Sequence, residues 1–159
     1  MFLECGERSP LSFLSLYDFP DPDHDEPHII RLRGPWEVVV ESASDARSVR
    51  IHMPATWNQL AAAGIHGETQ FRRRFHLPTG LSPSQRVDLV IATASVSGSV
   101  LLNSESLGSL KPGSTESRFE VSDKLRPVNR LEISTLVPRE SDLADSQPIG
   151  EVRLEIYPV

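Results

Sequence analysis

The sequence predicts an all-β chain folded as an antiparallel β-sandwich, and three observations carry that expectation. Apolar residues recur with a period near two rather than 3.6, as a strand with one buried face requires. Turn formers interrupt the chain at short intervals, at Gly34-Pro35, Pro78-Thr79-Gly80 and Lys111-Pro112-Gly113, where they preset or permit turn dihedrals. A single window, Trp57 to Ala63, offers a short helical turn, and Gly64 would end it.

The elements follow in order. Phe19 to Pro27 holds three prolines and four acidic residues, which deny a helix and repel one another, so residues 1–28 are expected to form an irregular arm. Residues 29–159 then form one sandwich domain of nine strands. Ile29 to Arg33 and Trp36 to Glu41 flank Gly34-Pro35, and Val49 to Met53 follows. Thr69 to Leu77 ends at Pro78-Thr79-Gly80; Arg86 to Ala92 and Ser97 to Leu102 precede the Lys111-Pro112-Gly113 turn. Thr115 to Val121, Arg130 to Leu136 and Glu151 to Tyr157 complete the set. In the fourth strand, alternation puts Arg73 on the face of Phe71 and Phe75, with Gln70, Arg72 and Arg74 on the other. If the Phe face is the core, Arg73 needs a carboxylate or several carbonyls against it, because an unpartnered buried guanidinium is very costly.

Composition narrows the function. At 159 residues the chain fits one core. A net charge of -6, from 16 basic and 22 acidic residues, argues against nucleic acid, which is met by a basic surface. Arg72, Arg73 and Arg74 are the one basic run, and alternation splits it between two faces, so it is not expected to act as a continuous patch. Cys5 alone cannot form an intramolecular bridge, and a lone thiol suits a reducing compartment. The start Met1-Phe2-Leu3-Glu4 lacks the positive region and apolar run of a secretory signal. No stretch approaches the roughly 18 to 20 apolar residues of a membrane span. These features together predict a soluble, cytoplasmic protein without membrane or nucleic-acid partners.

Five short patterns occur in a fixed order. Gly34-Pro35-Trp36-Glu37-Val38 comes first, then Pro54-Ala55-Thr56-Trp57-Asn58-Gln59. Gly67-Glu68-Thr69-Gln70-Phe71-Arg72-Arg73-Arg74-Phe75-His76-Leu77-Pro78 follows, then Val100-Leu101-Leu102-Asn103-Ser104-Glu105-Ser106-Leu107-Gly108. Phe119 to Leu125 with Asn129-Arg130-Leu131-Glu132-Ile133 closes the series. In this order they resemble the sugar-binding domain that precedes the catalytic barrel in glycoside hydrolase family two enzymes of the β-galactosidase and β-glucuronidase type. Phe71 stands where that family has tyrosine, and Ser104 where its hairpin has glycine. A primed two-residue turn favours asparagine then glycine, so a slightly longer or differently typed turn is expected at Ser104. The resemblance implies a galactose-binding-domain-like jelly roll and a non-catalytic, carbohydrate-binding role, since the family's catalytic acids belong to the barrel.

The residues agree with a non-catalytic reading. Glycoside hydrolysis needs two carboxyl groups at roughly 5 to 9.5 Å, one of them a proton donor. None of the acids here falls in such a motif, and most read as solvated strand edges and loops. No Gly-x-Ser-x-Gly elbow and no Gly-rich phosphate loop occurs. Asp21, Asp23, His24, Asp25 and His28 supply metal-ligand types, but three prolines extend that segment, so neither a metal nor any other cofactor is expected. Sugar recognition requires an aromatic face with amide, carboxylate or guanidinium groups beside it. Trp57, Asn58, Gln59, His66, Glu68 and Arg72 provide these types, with Asn103 on the hairpin, so the candidate site lies at one end between the 54–68 loop and that hairpin. The competing role for Trp57 is to plug the sandwich, and Trp36 is expected in the core. The alternative function is an interaction or assembly domain that meets a protein partner or a second copy without a sugar.

Overall fold

The structure is a computed structural model, and the residues described are 26–41, 46–137 and 147–158. Residues 1–25 of the expected arm, with Cys5 and the Asp21, Asp23, His24 and Asp25 group, lie outside them. The described residues form two antiparallel sheets and one short helix, the all-β sandwich that alternation predicts. The strands are β1 (His28–Arg31), β2 (Trp36–Glu41), β3 (Ala46–Ile51), β4 (Gly67–His76), β5 (Val87–Ala94) and β6 (Gly98–Leu102). They continue with β7 (Glu105–Leu110), β8 (Ser114–Glu120), β9 (Val128–Val137) and β10 (Val152–Ile156), and helix α1 (Trp57–Ala62) joins β3 to β4. One sheet has the order β1-β10-β5-β8, the other β3-β2-β4-β9-β6-β7.

The core is built by strict alternation. On β4 Thr69, Phe71 and Phe75 are buried, and on β9 Asn129, Leu131, Ile133, Thr135 and Val137 are buried, each flanked by more exposed neighbours. Val87, Leu89 and Ile91 of β5, with Val152, Leu154 and Ile156 of β10, meet them from the smaller sheet in one apolar cluster. Each large side chain so enclosed contributes about 1.5–3 kcal/mol over an exposed one. Trp36 is fully buried, as expected, and its indole Nε1 donates to the Leu32 carbonyl at 2.7 Å.

α1 is held by its ends. The Thr56 hydroxyl accepts from the Gln59 N–H and the Gln59 side-chain oxygen accepts from the Thr56 N–H, a capping box that satisfies two otherwise orphan donors. Gly64, at φ +75°, follows the Ala63 cap and stops the helix.

Three expectations are corrected. β7 is a tenth strand; its sequence Glu-Ser-Leu-Gly-Ser-Leu lacks β-branched residues and pairs because the hairpin lays it against β6. The turn before it is neither longer nor of a different type. Leu102 pairs with Glu105, and both loop residues are left-handed, Asn103 at φ +53° and Ser104 at φ +70°, as a type I′ turn demands. Ser104 therefore occupies the glycine position at a conformational cost. What holds it there is Asn103, whose Nδ2 donates to Lys124 O and Asn129 Oδ1 and whose Oδ1 accepts from the Arg130 N–H. Third, Arg73 meets no carboxylate among the described residues. It is half-buried, its Nη1 donates to the Arg74 carbonyl at 2.9 Å, and its Nε is buried without a partner.

Candidate functional site

The outer face of the six-stranded sheet carries a polar concavity. Because β4 and β9 turn every second residue outward, the register aligns side chains from strands distant in sequence into rows. One row runs Arg50, Glu37, Arg72, Glu132, Leu101 across β3, β2, β4, β9 and β6. The next runs Ser48, Val39, Gln70, Ser134, Ser99. Gln70 links the two: its amide donates to Glu132 Oε2 at 3.3 Å and Ser134 Oγ at 3.4 Å, and its oxygen accepts from Arg72 Nε. Arg130 Nε reaches Glu132 Oε1 at 2.8 Å, and Ser48 Oγ donates to Glu37 Oε1 at 3.0 Å. Two open clefts lie on this side of the sheet, and Gln70 lines the smaller. One, of about 650 Å³, is lined by Glu37, Arg50, Arg72, Arg74 and Arg130 with Pro35 and Val128. The other, of about 400 Å³, is lined by Glu68, Gln70, Ser97, Ser134 and Leu136.

The seven residues expected at the site are distributed as follows. Glu68 and Arg72 both face outward on β4, on either side of Gln70. Asn103 lies toward the other end of the β4–β9 ladder: Glu68 pairs with Leu136, whereas the Asn103 N–H bonds Arg130 O, six residues away, about 20 Å along β9. The amide of Asn103 is fully engaged in tying the hairpin to β9. Trp57 is 8% exposed in the core cluster, with its Nε1 buried and unpartnered. Gln59 commits its oxygen to the capping box, Asn58 is exposed on the first turn of α1, and His66 is half-buried in the loop before β4. Gln70, Glu132, Ser134, Arg74 and Arg130 were missed as site residues. Alternation on β4 and β9 marks them as outward, but nothing in either segment tells which outward residues become neighbours.

Two acids are exceptions to the expectation that most are solvated. Asp88 on β5 and Glu155 on β10 are buried cross-strand partners, not solvated edges. Arg86 holds Asp88 through two bonds at 3.0 and 2.9 Å, and Arg118 reaches Asp88 at 3.0 Å and Glu155 at 2.8 Å. Arg153 and Tyr157 complete the set around Glu155, each at 3.1 Å. Arg118 and Arg153 also flank Val90, which is fully buried although it points away from the core, as expected where long aliphatic stems cover an outer sheet face. Burial pushes the pKa of Asp88 up, but the hydrogen bonds from Arg86 and Arg118 outweigh it and hold the carboxyl below its usual range. Burial acts on Glu155 the same way, and Arg118, Arg153 and Tyr157 outweigh it in turn. Both groups are therefore carboxylates at neutral pH, and neither holds the proton that a glycosidic acid must donate.

No protein-family model matches the chain, and no curated protein matches it in sequence. Solved structures do match it. The β-glucuronidase of Bifidobacterium dentium, complexed with coumarin-3-O-glucuronide, superposes with a TM-score of 0.65 at 17% identity, over 90% of this chain and 32% of that one. The β-glucuronidase of Bacteroides uniformis gives 0.61 at 22% identity, over 84% and 18%. The GH2 β-galacturonidase of Eisenbergiella tayi, bound to glycerol, gives 0.61 at 16%, over 83% and 25%. No helix among the described residues is long and apolar enough to cross a membrane. The chain thus spans a third or less of each of these enzymes and has the fold of a β-sandwich section of glycoside hydrolase family two structures.

Proposed function

We propose that this chain is a non-catalytic carbohydrate-binding module whose ligand surface is the outer face of the six-stranded sheet, with Gln70 at its centre and Glu68 and Arg72 beside it. The observation that carries this reading is the oriented ladder of Ser134, Gln70, Arg72, Glu132 and Arg130 on an open, concave sheet face. Donors and acceptors alternate there at about the spacing of strand rows, so a pyranose laid across the rows exchanges hydroxyl contacts with groups already held in place, and little side-chain entropy is lost on binding. The fold shared with sections of glycoside hydrolases points to the same ligand class. The depressed carboxyls of Asp88 and Glu155 support the non-catalytic part. Calorimetric titration against a glycan panel at millimolar sugar tests it: one or more members bind, and Gln70→Ala weakens that binding about tenfold. Silence across the panel overturns the reading.

One observation favours a second reading, an assembly surface. Leu136 is 65% exposed on this same face, next to the smaller cleft, a placement suited to a protein partner. Light scattering distinguishes it: a stable oligomer lost in Leu136→Ser, with no glycan binding, establishes assembly instead.

A further inference from the structure

The larger cleft is strongly cationic in a protein whose net charge is -6, and among the described residues only one of its arginines, Arg130, lies within ion-pair distance of a carboxylate, that of Glu132. Five arginines line it: Arg50 from β3, Arg72, Arg73 and Arg74 from β4, and Arg130 from β9. Alternation is expected to split the basic run of β4 between two faces, yet Arg72, Arg73 and Arg74 all line this one cleft, and Arg50 and Arg130 of the neighbouring strands complete the patch. Among the described residues the only acid in the lining is Glu37, which accepts a bond from Ser48. On the opposite sheet Arg31, Arg86, Arg118 and Arg153 are each paired to a carboxylate. By contrast Arg50, Arg72, Arg73 and Arg74 meet no carboxylate among the described residues.

Two further features separate this cleft from an ordinary solvated face. Arg74 and Arg130 are direct cross-strand partners, a like-charge pairing that weakens a sheet unless an anion lies between the two. Arg72 and Arg130 are also anchored alike. Each spends its Nε on the protein, Arg72 on Gln70 and Arg130 on Glu132, and its planar guanidinium keeps terminal N–H donors for a further acceptor. That is the arrangement that receives the two oxygens of a carboxylate. Val128, 42% exposed, and the exposed Pro35 add an apolar flank beside the guanidiniums, which suits the carbon face of a sugar ring and has no use for a bare inorganic ion.

The geometry points to an anion subsite: the sugar bound on this sheet is an acidic saccharide, and its carboxylate seats among Arg72, Arg74 and Arg130. This rests on the carbohydrate-binding reading above and deepens it by naming the ligand class. Preorganised forks and a focused positive potential favour the acid over its neutral ester and make the preference fall with ionic strength.

The test is calorimetric titration of the whole chain with trigalacturonate, its methyl ester and inorganic sulfate, at low and at 0.3 M salt, on wild type and on the double variant Arg74→Gln/Arg130→Gln. Both arginines are exposed, so the Arg130–Glu132 pair that the variant loses is offset by the repulsion it removes; the melting temperature is expected to stay within a few degrees of wild type, and its measurement separates lost binding from lost folding. The acid is expected to bind at least tenfold more tightly than the ester, to weaken with salt, and to lose about tenfold in the double variant. Equal binding of acid and ester overturns the anion subsite and leaves carbohydrate binding standing. Binding of sulfate as tight as that of the acid, or acid binding unchanged in the double variant, overturns the subsite as well. Binding of neither saccharide, here or across the glycan panel, overturns both readings together.

Discussion

Replacing Arg118 by methionine removes the guanidinium that bridges two buried carboxylates while keeping a stem to cover Val90. Asp88 is fully buried and the Glu155 side chain is 7% exposed, whereas Arg118 is 34% exposed. A hydrogen bond to a charged group contributes about 1.5–3 kcal/mol, and partial exposure of Arg118 argues for the lower end at each of the two carboxylates. Asp88 keeps Arg86, and Glu155 keeps Arg153 and Tyr157, so neither is stranded outright. The contact with exposed Glu116 adds about nothing measurable. The sum is about 3 kcal/mol, at the low end of what breaking a buried pair costs. In a chain of this size that lowers the melting temperature by roughly 6–12 °C.

The sign with pH is determined by the direction of the two shifts. Both carboxyls sit lower in the folded than in the unfolded chain, so their pairing stabilises the fold fully above the unfolded value of about 4 and is lost as pH falls through the folded values. Without Arg118 the two carboxyls are depressed less, so the variant loses less on acidification, and the gap to wild type narrows below about pH 4. Urea melts of both proteins at pH 7 and pH 3 measure this. A loss under about 1 kcal/mol at pH 7, or a gap of the same size at both pH values, refutes the argument that this network is a buried, ionised element of the sheet.

Two other outcomes follow from the hairpin. Ser104→Gly removes a left-handed residue that costs about 1–2 kcal/mol, less the extra entropy of glycine, and should stabilise the fold by about 0.5–1 kcal/mol in a thermal melt. Asn129→Leu deletes the partner of Arg126 N–H, Arg126 O and Asn103 Nδ2 and leaves buried polar groups unmet; denaturant melts should show a loss of about 3 kcal/mol, and amide exchange should quicken around Arg130, whose N–H depends on Asn103.

Much of the fold was readable along the chain, because alternation is a property of neighbouring residues. The faces of β4, the burial of Trp36, and the helix from Trp57 closed by Gly64 all follow from residues within a few positions of one another. β7 escaped that reading because its serines and glycine carry little strand preference, and its order comes from β6 through the Asn103-Ser104 turn. Asn103 looked like a ligand contact because its partner Asn129 lies 26 residues on.

The site was readable only as a set of outward-facing residues. Gln70 meets Ser134 across 64 positions, and Arg118 meets Glu155 across 37. A residue's face is dictated by the residues beside it, but its opposite number is dictated by strand register, which depends on how two sheets bury their apolar sides together. Hence the chain alone reveals which side chains avoid the core, whereas packing chooses that the buried Asp88 carboxylate is paired with Arg86 and Arg118 while Arg74 stands directly across from Arg130.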